Sequence, residues 1–486
     1  MATDSTPLTA IGLRSERGPI LLAVMLSVGL VAIDATILAT AVPSVVRDLG
    51  GFSQFPWLFS IYLLAQAVST PIYGKFADMV GRKPIMLLGV ALFVAGSMLC
   101  GVAWSMGSLI AFRAIQGLGA GAVAPMAMTI IGDIYSIAER SRVQGYVASV
   151  WGVSSVIGPT LGGVFSDYLS WRWIFFVNIP IGIAAAFMLL RSFNEDVTRK
   201  KHSIDYAGAI LLTFGCSLLI LGLLEGGVQW AWGSGTSIAI LAAGAVLLVA
   251  FGFAERRAQE PILPPWVFGH RILNGTTAAS LVVGVLLIGL TSYVPLYAQS
   301  ILGRGALVAG LAVAALTMGW PIAAAIAGRF YLRIGFRDTA LMGSVFVLGG
   351  LAVLLSVDGN STVYHLALAC FVIGIGLGFI ASPALVAAQS AVDWQHRGVI
   401  TGTNLFARSV GSAVGVAAFG AIANGVVTHR LGSKPGNLQS VSRGILEPAI
   451  HDVYIAAAIA GVVMLAAILI MPRKLTPIEA VSPTAS

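Results

Sequence analysis

Gly74-Lys75-Phe76-Ala77-Asp78-Met79-Val80-Gly81-Arg82-Lys83-Pro84 is a short charged loop set between two long apolar runs. A second segment of the same build, Gly328-Arg329-Phe330-Tyr331-Leu332-Arg333-Ile334-Gly335-Phe336-Arg337, follows the tenth apolar run. The glycines, the basic residue after the first glycine and the phenylalanine recur at one offset. A similar shift lays Gly117, Gly119 and Gly121 on Gly374, Gly376 and Gly378, and Gly158 and Gly163 on Gly415 and Gly420. One such match would be cheap. Three in register imply two related six-helix halves.

The solvent for those helices follows from composition. Of 486 residues, 57% are hydrophobic and 10% are charged, and the mean hydropathy is +0.91. A soluble domain carries about 25% charged residues, so this chain cannot cover a water-facing surface. Spans of about 20 apolar residues number fourteen, from 19–42 to 453–471. No signal peptide is expected before the first, because Met1 to Gly18 is polar and no cleavage site follows. With an even number of spans both termini share a side. Placing them in the cytoplasm puts about twenty Lys and Arg in inner loops and six in outer loops, as the positive-inside rule requires. Lys75, Arg82, Lys83, Arg329, Arg333 and Arg337 all fall inside. The net charge of +8 is thereby explained by sorting across a membrane and gives no reason to expect nucleic acid. The longest outer loop is expected at about Val426 to Asp452. Cys100, Cys216 and Cys370 lie far apart within apolar runs, which suits packing rather than a disulfide or a metal.

These residues resemble a known family. The loop from Gly74 to Lys83 looks like the signature loop of the major facilitator superfamily. Arg113-x-x-Gln116-Gly117-x-Gly119 resembles the fourth-helix arginine motif of its drug exporters. Gly145, Ser154, Gly158-Pro159 and Gly162-Gly163 resemble the fifth-helix motif associated with antiporters, with Ser154 where glycine is usual. Asp34-Ala35-Thr36-Ile37 with Pro43, and Trp171-Arg172-Trp173 with Phe175, Asn178 and Pro180, are similar to the fourteen-helix drug:proton antiporters. The similarity runs from about Pro19 to Arg473. It implies an all-α polytopic fold: a cytoplasmic tail 1–18, a six-helix bundle 19–191, two inserted helices within 192–271, a second six-helix bundle 272–474 and a tail 475–486. In the second half Leu332 replaces the loop aspartate and Cys370 the fourth-helix arginine, which leaves the coupling chemistry to the first half.

The residues can also be read on their own chemistry. Ionisable side chains inside spans are costly and usually mark ion or proton paths. Asp34 and Arg113 lie at matched depth, each about 10–14 Å below the outer surface at 1.5 Å per residue. Burial favours a neutral acid and a nearby cation the charged one. A conformational change that alters either can therefore load or release a proton, with Asp34 as carrier and Arg113 setting its affinity. In the loop, Gly74 and Gly81 permit a sharp turn, Asp78 suits a helix N-terminus where the dipole favours an anion, and Arg82 is expected to reach Asp133 at the end of the fourth span. Such contacts would hold the halves closed on the inside. Gly158-Pro159 with Gly162-Gly163 should kink the fifth span or pack it tightly. Arg408 in the thirteenth span either snorkels or lines a cavity.

Polar and aromatic positions near the repeat interface are the candidates for a substrate cavity: Tyr62, Gln66, Trp151, Ser155, Tyr293, Tyr297, Trp320, Gln389, Asn404 and Phe406. The combined expectation is a monomeric, multi-pass protein of the bacterial inner membrane that exchanges protons for hydrophobic or drug-like molecules. The proton is its coupling ion, with no cofactor or metal, and membrane lipid and the small molecule are its partners. An exporter or flippase of a lipid or natural product is the alternative on the same fold. A nutrient symporter is disfavoured by the Gly-Pro motif, and an enzyme by the scatter of its histidines, which build no catalytic cluster.

Overall fold

A computed structural model describes residues 12–50, 57–195, 205–226, 230–258, 261–304, 306–431 and 442–474. The two tails, the basic stretch Arg199 to Lys201, His202 and Lys434 lie outside these. The described chain is helical throughout its spans: α1 (Gly18–Leu49), α2 (Trp57–Val80), α3 (Arg82–Gly101), α4 (Met106–Ile134), α5 (Ile137–Tyr168), α6 (Trp173–Phe176), α7 (Asn178–Ser192), α8 (Tyr206–Glu225), α9 (Gly235–Glu255), α10 (Arg271–Ser300), α11 (Ala306–Ile334), α12 (Phe336–Leu355), α13 (Val363–Ser390), α14 (Arg397–Leu431) and α15 (Arg443–Ile470). Thirteen membrane-length apolar helices stand among the described residues, α6 and α7 together forming one. The remaining expected span is α2, 24 residues long, whose last turns carry Lys75 and Asp78.

Several helix boundaries differ from the sequence reading. The segment read as a loop from Gly74 is helix up to Val80, with α3 starting at Arg82, so the sharp turn falls at Gly81 and not at Gly74; the two largest shifts are in α1 and α15. α1 continues through Pro43 to Leu49, since proline removes only one helical hydrogen bond and already has a helical φ. α15 starts at Arg443, well before the expected span, because Leu446, Ala449, Ile450 and Val453 bury one face of an amphipathic turn. Its charged outer face hides that turn from a hydropathy count. Of the outer connection expected from Val426 to Asp452, residues 426–431 and 443–452 are helix, and 432–441 lie outside the described residues.

The chain forms two compact units. The first holds residues up to His202 together with Trp394–Thr401; the second holds Ser203–Asp393 and the chain from Gly402 onward. In the first, α4 packs on α2 and α3, and α1 on α5 and α7. In the second, α13 packs on α11 and α12, α10 on α15, and the inserted α8 on α9. The repeat is visible in backbone detail. Gly81 and Gly335 precede α3 and α12 with φ,ψ of 100°,160° and 88°,164°, a region open essentially to glycine alone. A Cβ at Gly117 would lie 2.5 Å from the Tyr62 carbonyl, and one at Gly374 would lie 2.2 Å from that of Leu316. The recurring glycines thus let equivalent helix pairs touch backbone to backbone.

Candidate functional site

Asp34 and Arg113 meet inside the first unit. The two are 1% exposed, and Arg113 Nη1 donates to Asp34 Oδ2 at 2.5 Å. A buried charge needs both a counter-charge and filled hydrogen-bond positions, and three more helices supply them. Gln116 Nε2 donates to Asp34 Oδ1 at 2.8 Å and to Ser97 Oγ at 2.6 Å, while Gln116 Oε1 accepts from Arg113 Nη1 at 2.6 Å. Asn178, at the start of α7, donates through Nδ2 to Ser97 Oγ at 3.1 Å and to Asp34 Oδ1 at 3.4 Å. Arg113 Nε donates to the Leu58 carbonyl at 3.1 Å, and the guanidinium stands 4.1 Å above the Tyr62 ring. Asp34 thus joins α1 to α4 and α7, and Arg113 joins α4 to α2. If the carboxylate took up a proton, the ionic part of the α1–α4 link would vanish while Gln116, Leu58 and Tyr62 still held the arginine.

α1 is also held from its other side. Thr36 Oγ1 donates to the Ser154 carbonyl of α5 at 2.9 Å, and a Cβ at Gly158 would lie 2.0 Å from Thr36 Oγ1 and 3.1 Å from the Ile37 nitrogen. Gly158 is a close-approach glycine of its motif. Gly163 has nothing within 4 Å, and the side chain of Pro159 lies outside the described residues. Gly158→Val should force α1 and α5 apart, an overpacking cost of about 1–3 kcal/mol. The thermal midpoint of the detergent-solubilised protein should fall clearly, whereas Gly163→Ala should leave it unchanged.

The signature loop builds a second cluster in the same unit. Arg82 is fully buried. It pairs with Asp78 at 2.9 Å, Asp133 at 3.0 Å and Glu195 at 3.8 Å. Its Nη2 donates to the Trp394 carbonyl at 2.6 Å, and its guanidinium lies 3.7 Å from the Trp394 ring centroid. Asp78 accepts from the backbone N–H groups of Gly398 at 2.9 Å and Val399 at 2.8 Å. These are among the unsatisfied donors of the first turn of α14, where a carboxylate is favoured. A Cβ at Gly398 would lie 2.4 Å from the Gly74 carbonyl, so the approach depends on a bare backbone. Arg397 donates to Asp133 Oδ1 at 2.9 Å. Burial pushes the Glu195 carboxyl above its usual range, opposed by N–H donation from Lys83 and by the Arg82 charge and N–H. α14 accordingly begins in the grip of the signature loop and leaves this unit after Thr401.

The cavity candidates are divided between the two units. Tyr62, Gln66, Trp151 and Ser155 belong to the first unit, and Tyr293, Tyr297, Trp320, Gln389, Asn404 and Phe406 to the second. Tyr62 is part of the Arg113 site, Trp151 is 42% exposed, and Tyr297 donates to Glu447 at 3.4 Å beside Tyr454. Asp48 closes the far end of α1. It accepts from Arg172 at 2.6 Å and Trp171 at 3.0 Å, and these bonds hold its carboxyl below the usual range. Of the residues in the two clusters, Ser97, Glu195, Trp394 and Arg397 carried no motif that would mark them.

Comparison with known proteins agrees with this architecture. The family model described as Major Facilitator Superfamily matches residues 24–416. The chain is 35% identical over 412 residues to Multidrug resistance protein 3 of Bacillus subtilis, covering 85% of this chain and 80% of that protein. It is 32% identical over 413 residues to the multidrug transporter protein MdtP of the same organism, covering 85% and 76%. Among solved structures, the human organic anion transporter MFSD10 (TETRAN) superposes with a TM-score of 0.66 at 14% identity, covering 93% of this chain and 99% of that one.

Proposed function

The chain belongs to the Major Facilitator Superfamily, and we propose that it exports hydrophobic or drug-like small molecules in exchange for protons. Asp34 is the proton carrier in this reading. The observation that carries it is a carboxylate buried within a span, tied by an ion pair to Arg113 and ringed by neutral donors from α4 and α7. Relatives of more than 30% identity named as multidrug proteins support export of drug-like cargo.

The cycle follows from the two clusters. Protonation of Asp34 removes its charge and frees α1 to shift between α4 and α5. Deprotonation restores the pair with Arg113. The signature loop, by capping α14 through Asp78 and Arg82, holds one arrangement, and the cycle breaks and remakes that hold. Both termini lie in the cytoplasm of a bacterial cell, so an inward proton enters from the outer side as cargo leaves. The test is ethidium or Hoechst uptake into inverted membrane vesicles with an acid interior. Uptake should follow the imposed pH gradient and stop when nigericin collapses it. Uptake indifferent to the gradient would remove proton coupling from the reading, and a lipid or natural-product carrier would replace it.

A further inference from the structure

Two donors without acceptors stand one turn apart on α14, in the second unit. Asn404 is 4% exposed; its Oδ1 accepts from Ser280 Oγ at 2.5 Å, and its Nδ2 has no partner among the described residues. Arg408 follows four residues later and is half-buried. It has no side-chain hydrogen bond or ion pair among the described residues. Its charge is permanent, and α10, α11, α13 and α14 contain no Asp or Glu with which to neutralise it.

The position makes that unmet charge informative. Arg408 is roughly 16 Å along α14 from Arg397 at 1.5 Å per residue, at a depth where an isolated cation is costly and arginines pair or face a polar path. Side chains on a helix lean toward its N-terminus, which carries Arg408 over the turn of Asn404. The backbone beneath is firmly seated on α10. A Cβ at Gly284 would lie 2.0 Å from the Arg408 carbonyl, one at Gly411 would lie 1.8 Å from that of Leu281, and Ser412 Oγ donates to the Gly284 carbonyl at 3.4 Å. A rigid platform thus carries a guanidinium fork and an amide N–H one helical turn apart, a donor set that fits a carboxylate or a similar oxyanion. The contrast with the first unit is direct, because there Asp34 already neutralises Arg113.

We propose that Arg408 and Asn404 form an oxyanion site within the span of α14, and that the compounds this protein exports include amphiphiles bearing one carboxylate or comparable monoanionic group. The proposal rests on the exporter reading and specifies its cargo. An anionic lipid headgroup offers the same chemistry, so the test must separate the two sources.

The test uses one apolar body with three head groups: 1-pyrenebutyrate, its methyl ester and 1-pyrenebutylamine. Binding to the full-length protein is read by fluorescence anisotropy in phosphatidylcholine nanodiscs. The acid should bind about tenfold to a hundredfold more tightly than the ester, and the amine more weakly than the acid. Arg408→Gln should bring the acid down to the affinity of the ester, and Arg408→Lys should retain part of the preference. Equal binding of acid and ester by wild type, a result that needs no variant, would overturn the proposal. So would a preference for the acid that survives in Arg408→Gln. If phosphatidylglycerol in the nanodisc abolishes the acid's advantage in wild type, the site belongs to lipid and the cargo proposal falls. Vesicle uptake keeps the two readings apart: transport of the ester without the acid defeats this inference alone, whereas no transport of any of the three defeats the exporter reading.

Discussion

Asp34→Asn is expected to reduce gradient-driven export to background while the protein still inserts and folds. Asparagine matches aspartate in size, and its amide oxygen can accept the bond that Arg113 Nη1 now gives to Asp34 Oδ2 at 2.5 Å. What it cannot do is change charge. Removing one member of a buried ion pair costs about 3–5 kcal/mol when nothing replaces it. Here Gln116, the Leu58 carbonyl and the Tyr62 ring continue to hold the cation, so the cost should fall toward the lower end. A detergent-solubilised sample should show a modest drop in thermal midpoint beside a complete loss of response to pH. Asp34→Glu keeps the titrating group and should recover part of the response. Full pH-driven export by Asp34→Asn would remove this residue from the coupling mechanism.

Arg82→Ala should be the most damaging change to the fold and the cycle together. Arg82 is buried among Asp78, Asp133 and Glu195, and its removal leaves three carboxylates facing one another. Arg397, paired with Asp133 at 2.9 Å, can offset only one. A loss of about 3–5 kcal/mol is expected from the uncompensated charge, with at least a hundredfold drop in initial efflux rate and a clear fall in thermal midpoint. Arg82→Lys keeps the charge but loses the guanidinium fork that bonds the Trp394 carbonyl and stacks on its ring, so it should fall between alanine and wild type. Wild-type efflux and stability in Arg82→Ala would mean that the cluster does not govern the cycle.

The overall fold was legible because membrane burial leaves a coarse signal. Long apolar runs, one-sided basic loops and a glycine repeat each need only local composition or register to be read. The Asp34–Arg113 pair was legible for a related reason: charges inside spans are few, and two at one depth have few other partners. Their neutral companions were legible only in part. Gln116 and Asn178 stand in motifs, but Ser97 resembles many polar residues that merely pack within helices, and only tertiary structure shows that the three form one network on Asp34. The signature loop announced itself by sequence, but the element it holds did not, since Trp394 to Val399 lies some three hundred residues away. The early start of α15 was hidden because Leu446, Ala449 and Ile450 alternate with charged residues. The singular feature of Arg408 is the want of a partner, which a sequence cannot display.

The central claim is that cargo and proton exchange through Asp34. The direct measurement is proton release from purified protein in weakly buffered solution, followed with a pH-sensitive dye as a transported substrate is added. Wild type should release protons in proportion to the substrate bound, and Asp34→Asn should bind substrate and release none. Undiminished proton release from Asp34→Asn would contradict the account.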